Sequence, residues 1–344
     1  MDTHSLLPFV SVLVPARNEE RSIRECIESL CNQVYPHYEV LVLDDDSTDS
    51  TLDILTELKS LYPDILNIVC SRKLPEGWIG KSYACHELSR QAKGDYLLFT
   101  DADTIHSPYA LNSLIQSAQE NQADLLTAVP DQILHSLWEH LMIPFMHVLY
   151  HGYLPNTFLY TKKNPAFIAA NGQIMLFREE CYHSIGGHEA VKSSLVEDID
   201  ITRALKKKGG KVVLANAVTI VSCSMYDGFN EVLRGFSKNF YPGFQEKTIP
   251  YIFFMLHVFT GYVLPLIVSI IAIITNAKQL LYVSLFALFL GMVIRSLSTI
   301  QFRLPLFHVL LQPFSALFAF IIGINSFLWS RPGKGRIWKE RKYS

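Results

Sequence analysis

Three acidic clusters and one basic loop hold the side chains of this chain whose types and spacing can do chemistry. Asp101-Ala102-Asp103 follows the apolar run Tyr96 to Thr100 directly. Alternating carboxylates at a strand end can both reach one hard cation, Mg2+ or Mn2+, with substrate phosphates completing its shell. Asp44-Asp45-Asp46-Ser47-Thr48-Asp49 stands after a second apolar run. Ser47 or Thr48 is expected to cap the next helix, and Asp49 to favour that helix's positive end. Three successive aspartates exceed what capping needs, and a carboxylate here is suited to accept a hydrogen bond from the imide of uracil or from a ribose hydroxyl. Val196-Glu197-Asp198-Ile199-Asp200 opens a helix expected to end near Gly209. Acids stabilise a first helical turn, yet one of them can also take a proton from an attacking hydroxyl. Asp198 is assigned that role, with Glu197 beside it.

A phosphate-bearing ligand at such a site would also need cations. Arg17, Arg72 and Lys81 fall in loops at the same rim, with Pro15 and Glu19 in the first of them. The segment Leu74-Pro75-Glu76-Gly77-Trp78-Ile79-Gly80-Lys81 opens a helix, so its backbone N–H groups and Lys81 can face phosphate together. Asn171, Gly172 and Arg234 are assigned to an acceptor or phosphate region.

The elements that must position these residues alternate in the first 130 residues. Strands are expected over Phe9 to Pro15, Tyr38 to Leu43, Leu66 to Cys70, Asp95 to Thr100 and Asp124 to Val129. Between them Ile23, Ile27, Leu30 and Val34 recur at helical spacing, as do Leu52, Leu55 and Leu58, and then Ala84, Leu88 and Ala92. Alternating strands and helices predict an α/β fold with a doubly wound, mostly parallel sheet. Such sheets bind ligands beyond the carboxyl ends of their strands, which is where both aspartate clusters stand.

Composition separates the rest of the chain from this part. Of 344 residues, 49% are hydrophobic. Residues 1–249 carry 31 acidic side chains against 21 Lys and Arg, a net charge of −10, whereas residues 250–344 carry nine basic residues against Glu340 alone, +8. Three apolar stretches, Tyr251 to Thr275, Leu280 to Ile300 and Leu306 to Trp329, approach the ~20 residues needed to cross a ~30 Å hydrocarbon core. Pro265 and Pro313 are expected to kink the first and third, and Arg295 to snorkel from one end of the second.

The expected organisation is therefore a catalytic domain over 1–249, a membrane domain over 250–330 with two to three transmembrane or re-entrant helices, and a basic tail over 331–344. The tail carries six basic residues and suits an anionic cytoplasmic leaflet. Three full crossings from a cytoplasmic catalytic domain would place that tail outside, against the positive-inside rule, so one segment is re-entrant or interfacial, or the tail breaks the rule. The first eight residues show no secretory signal, which leaves the N-terminal part in the cytoplasm. The stretch from Gln132 to Tyr160 fits an interfacial amphipathic helix and a buried helix about equally. Six cysteines without a CxxC pair or zinc spacing are expected to be reduced thiols.

Four motifs in order, VSVLVPARNEE at Val10 to Glu20, VLDDDSTDST at Val42 to Thr51, TDAD at Thr100 to Asp103 and VEDID at Val196 to Asp200, resemble the family 2 glycosyltransferases. LPEGWIGKSYAC at Leu74 to Cys85 and the C-terminal WKERKY are similar to the membrane glycosyltransferases of carotenoid and hopanoid pathways. The resemblance implies a GT-A fold, an inverting transfer from a nucleotide-sugar donor, and a divalent metal. It places Asp45, with Asp44 as the alternative, against uracil, and Pro15 and Arg17 along the nucleotide pocket. Asp101 and Asp103 then serve ribose and metal, and Asp198 is the base.

Processive members carry QxxRW before their membrane segments. Here Glu231 to Lys238 reads EVLRGFSK, with Arg234 but without Gln or Trp at the required spacing, which favours transfer of one sugar. The expected partners are a nucleotide-sugar donor, uracil-based by this likeness, a lipid or other amphipathic acceptor, and a membrane, with no nucleic acid. A processive polysaccharide synthase and a catalytically silent membrane scaffold are the alternatives. Loss of the carboxylates would favour the scaffold, and none is lost.

Overall fold

The computed structural model describes residues 7–70, 73–153, 168–331, 336–338 and 341–343. The chain divides into two compact units, Met1–Ile133 with Asn156–Met225, and Leu134–Pro155 with Tyr226–Ser344.

The first unit is built on a seven-stranded sheet ordered β3-β2-β1-β4-β8-β6-β9. Its strands are β1 (Val10–Ala16), β2 (Tyr38–Asp44), β3 (Leu66–Cys70), β4 (Tyr96–Thr100), β6 (Leu125–Val129), β8 (Ile174–Arg178) and β9 (Val212–Asn216). β1 pairs in parallel with β2 and β4, and β8 runs antiparallel between β4 and β6. Alternation along each strand fills two cores. Val10, Val12 and Val14 face the layer of α1 (Ile23–Cys31), α2 (Thr51–Leu61) and α4 (Ala110–Glu120), while Leu13, Leu97 and Phe99 face α3 (Gly80–Ser89) and the helices that follow β8. Val34 and Leu52, expected on the buried faces, are instead exposed, because α1 ends at Cys31 and Leu52 turns to the solvent side of α2. Neither Ser47 nor Thr48 caps α2, whose N-cap is Ser50. Asp49, just before it, has its Oδ1 accepting from the backbone N–H of Thr51 at 3.0 Å and from that residue's hydroxyl at 2.6 Å.

A second, three-stranded sheet combines β5 (Thr104–His106), β10 (Val221–Cys223) and β7 (Asp131–Gln132). Its β10 pairs antiparallel with β5, setting Cys223 opposite Thr104 directly after Asp103. Of the six cysteines, the five whose side chains are described are free.

The second unit is helical. The helix α5 (Leu137–Tyr153), within the stretch Gln132 to Tyr160, buries Met142, Phe145 and Val148 while Leu137 and Trp138 stay exposed. After α6 (Glu179–Ser184) and α7 (Glu197–Lys207) of the first unit come α8 (Phe229–Gly243), α9 (Thr248–Ile274), α10 (Lys278–Gln301) and α11 (Gln312–Trp329). Val232, Phe236 and Phe240 of α8 share the core with Ala316, Ala319 and Ile322 of α11. That packing is why the units divide at Met225, earlier than the composition shift at residue 249.

Among the described residues α9, α10 and α11 are long and apolar enough to cross a membrane. Pro265 follows a wide π turn, Phe259–Val263, which accommodates its missing N–H. Pro313 does not kink the third apolar stretch. It stands in the first turn of α11, where no hydrogen bond is lost, after a separate 3-10 turn at Leu306–Val309. Arg295 does not snorkel either, since its side chain is turned inward and fully buried. At the tail, Arg336–Trp338 and Arg341–Tyr343 form a two-stranded antiparallel pair.

Candidate active site

The parallel register of β1 and β2 brings their carboxyl ends level, pairing Pro15 with Leu43 and Ala16 with Asp44. The loops beyond them lock together. Arg17, only 8% exposed, donates to the carbonyls of Asp45 and Asp46. Asn18 and Asp46 take positive φ (50° and 58°), and Asn18 Oδ1 accepts from the N–H of Thr48 at 2.8 Å. Arg17 therefore holds the aspartate loop from beneath, while Asp44 keeps one buried oxygen, Oδ1, without a hydrogen-bond partner. The N–H of Glu19 is held by the hydroxyl of Thr51 at 2.8 Å, which fixes that residue at the same rim.

Asp101 and Asp103 emerge from β4 on the turn into β5. Thr104 Oγ1 donates to the carbonyl of Asp101 at 2.8 Å, and the Thr100 hydroxyl donates to the carbonyl of Gln173 at 2.8 Å, so the turn is fixed from both sides. Asp103 Oδ1 is buried without a hydrogen-bond partner. Burial, and after it the charges of Asp101 and Glu19, pushes the Asp103 carboxyl up to about 7.

Such a carboxylate is suited to a cation. Among the described residues no group of three or more His, Cys, Asp and Glu is placed to hold a metal. Asp101 and Asp103 thus fit a divalent ion only as the protein's share of a shell completed by donor phosphates and water, an arrangement usual for Mg2+.

Lys81, in the first turn of α3, lies between two of these carboxylates, 2.7 Å from Asp101 Oδ1 and 3.0 Å from Glu197 Oε1. Burial lowers its pKa, but the two acids outweigh that and hold the ammonium well above its ordinary value. Asp198 sits one residue into α7. Its Oδ2 accepts from the N–H of Gly172 at 3.2 Å and its Oδ1 from the N–H of Ile199 at 2.8 Å. Burial and then the Glu197 charge push its carboxyl up to about 7.

A Cβ at Gly172 would lie 3.3 Å from Lys81 Nζ and 3.6 Å from Asp198 Oδ2, so the bare backbone leaves room for both side chains. Asn171 fixes the loop through its N–H, which donates to Thr127 Oγ1 at 2.9 Å, and through its Oδ1, which accepts from the N–H of Gln173 at 3.0 Å. Pro15, Lys81, Asp101, Gly172 and Glu197 line one pocket.

Of the residues singled out from sequence, the first unit holds all but two. Arg72 lies outside the described residues. Arg234 is on α8, in the second unit. The pocket also takes in residues that the motifs did not mark. His188 lines it, its ring tilted against Phe99 with centroids 4.8 Å apart, and burial pushes its pKa down to about 3, so its imidazole is neutral. Gln173 and Cys223 meet at 2.7 Å beneath Asp103. No spacing rule connects residues 173 and 223 to position 103; only the sheet pairing does.

A family model described as Glycosyl transferase family 2 matches residues 11–182. The chain belongs to that family. Glycosyl transferase family 2 relatives include the 4,4'-diaponeurosporenoate glycosyltransferase of Staphylococcus haemolyticus, 29% identical over 250 residues, which are 72% of this chain and 64% of the relative. The match thus spans somewhat less than two thirds of that relative's length. The poly(ribitol-phosphate) beta-glucosyltransferase of Bacillus spizizenii is 37% identical over 118 residues, 34% of this chain and 18% of that protein. Among solved structures, a mannosyltransferase from Pyrobaculum calidifontis in complex with GDP-Man and Mn2+ superposes with a TM-score of 0.59 at 18% identity, covering 95% of this chain and 89% of its own. This likeness is one of fold.

Proposed function

We propose that this family 2 member is an inverting, nonprocessive glycosyltransferase that moves one sugar from a nucleotide-diphosphate sugar, uracil-based by preference, to a lipid or amphipathic acceptor at the cytoplasmic membrane face. The observation that carries the reading is the placing of Asp198. It is a carboxylate oriented by two backbone N–H groups, beside a pocket lined by Lys81, Asp101, Glu197 and Gly172. In the reaction the acceptor oxygen bonds to the anomeric carbon while its proton passes to Asp198. The bond from that carbon to the diphosphate breaks, and the nucleoside diphosphate leaves with the electron pair.

Asp44 and Asp45 would meet the nucleoside at the β2 rim, with Pro15 beneath and Arg17 fixing their loop. Asp101 and Asp103 would hold Mg2+ or Mn2+, which when bound supplies positive charge for the leaving diphosphate. Lys81 adds a cation on the same side. A relative named 4,4'-diaponeurosporenoate glycosyltransferase, and three apolar helices, support the lipid acceptor and the multi-pass membrane location. The absence of the processive motif around Arg234 supports single transfer.

The test incubates membranes from an expressing strain with radiolabelled nucleotide sugars and counts label in the lipid extract. Asp198→Asn is expected to lower transfer by about 10²–10⁴-fold while leaving donor binding, measured by calorimetry, largely intact. A variant that transfers at the wild-type rate would remove Asp198 as the base, and label confined to soluble products would remove the lipid acceptor.

A further inference from the structure

The second unit contains a buried arginine that holds no partner among the described residues. Arg295, in α10, is 0% exposed, and none of its three guanidinium nitrogens has a hydrogen-bond partner. No ion pair to it is formed among the described residues. On the same inward face of α10, Ser298 and Thr299 are buried with unpartnered hydroxyls. Across from them α11 contributes Gln312, whose amide nitrogen and oxygen both lack partners, and Ser315, whose hydroxyl does too. Gln312 packs on this face, its Cγ 4.0 Å from the position of a Cβ at Gly291, one turn before Arg295. The charge of Arg295 is felt at His308, which hydrogen-bonds His140 at 2.8 Å.

Five polar side chains on two facing helices are therefore aimed into one apolar unit without satisfying each other. A buried polar group left unpaired is costly, and a buried charge far more so. An ionisable side chain within a membrane segment marks a ligand or ion path by default. The planar guanidinium fork matches an oxyanion in two-point contact, and hydroxyl and amide donors complete such a cradle. The neighbouring outer faces are apolar, with Phe286, Phe289, Leu297 and Phe314 more than half exposed, so a ligand reaching Arg295 from that side carries hydrocarbon.

We propose that Arg295, with Ser298, Thr299, Gln312 and Ser315, forms a binding site for the oxyanion of an anionic lipid, phosphate or carboxylate. The site rests on the reading of α10 and α11 as membrane helices and is independent of the transfer chemistry.

The experiment follows thermal unfolding of the full chain in detergent with dioleoyl phosphatidic acid, sodium oleate, dioleoyl phosphatidylcholine or inorganic phosphate added. The expected result is a midpoint raised by about 5 °C by either anionic lipid at saturation and unmoved by the zwitterionic lipid or free phosphate. Arg295→Gln is expected to abolish the rise. Should that variant fail to fold, Ser315→Ala keeps the charge and is expected to shift the lipid titration to higher concentration. An equal rise with phosphatidylcholine, a rise with inorganic phosphate alone, or an undiminished response in both variants would overturn the proposal. Because the readout is binding, its failure leaves the transfer assay unaffected, and the reverse also holds.

Discussion

Asp103 and Asp198 are two carboxylates made unusual by the same force. Each is pushed up to about 7 chiefly by burial and then by a neighbouring acid, Asp101 in one case and Glu197 in the other. Their consequences differ because their partners differ. Asp103 keeps an unpartnered oxygen, whereas both oxygens of Asp198 are oriented by backbone N–H groups. A base must be ionised to accept a proton, and a carboxyl raised to about 7 is ionised only above that pH. The value of kcat/KM is therefore expected to rise with pH through neutrality and level off above it, and a profile already flat from pH 5 would contradict this. Asp103→Asn removes the charge without changing shape. It is expected to weaken Mn2+-dependent donor binding by about tenfold or more while leaving metal-free binding unchanged, as read by calorimetry with and without EDTA. Equal affinities in the two proteins under both conditions would take Asp103 out of the metal site.

At the scale of elements, the position of the Asp101 turn depends on how β4 enters the sheet. Gly94 precedes that strand, and its N–H donates to Ser11 Oγ at 2.9 Å, while Ser11 in turn donates to Glu39 at 2.7 Å. A Cβ at Gly94 would lie 2.5 Å from the Ser11 nitrogen and 2.6 Å from the Tyr96 carbonyl oxygen. Both are backbone atoms of paired strands and cannot rotate away. Gly94→Ala is accordingly expected to cost about 2–4 kcal/mol of stability. Gly243→Ala, with open space around it at the end of α8, serves as the control and is expected to be neutral or slightly stabilising. Chemical or thermal unfolding of both variants compares them, and equal midpoints would show that the β1–β4 entry yields.

The molecule as a whole joins an acidic α/β unit to a helical unit whose outer faces are apolar. Ile274, Tyr282, Val283, Leu306 and Leu310 are each at least 66% exposed. Contiguous apolar surface of this kind is not left in water. The full chain is expected to remain in the membrane pellet through an alkaline carbonate wash and to leave it only with detergent. Release by carbonate alone would refute the reading of α9, α10 and α11 as spans.

Much of this was determined by the sequence alone, and the reason is local. Period-2 and helical patterns placed β1, β2, β3, β4 and β6 to within a residue or two, because a strand buried on both faces admits little but Val, Leu and Ile. The aspartate clusters were legible because strand ends put functional side chains at fixed places along the chain. Other features depend on contacts between distant segments, and only the tertiary structure decided them. Lys81 meets Asp101 across 20 residues of chain and Glu197 across 116, Arg17 turns to the loop of Asp45, and Cys223 reaches Asp103 through the β5–β10 pairing. Arg295 shows the distinction most plainly. Its sequence, a charge near the end of an apolar run, suits snorkelling. Whether it turns outward or inward depends on which face of α10 meets α11, the face on which Gly291, one turn before Arg295, lies against Gln312.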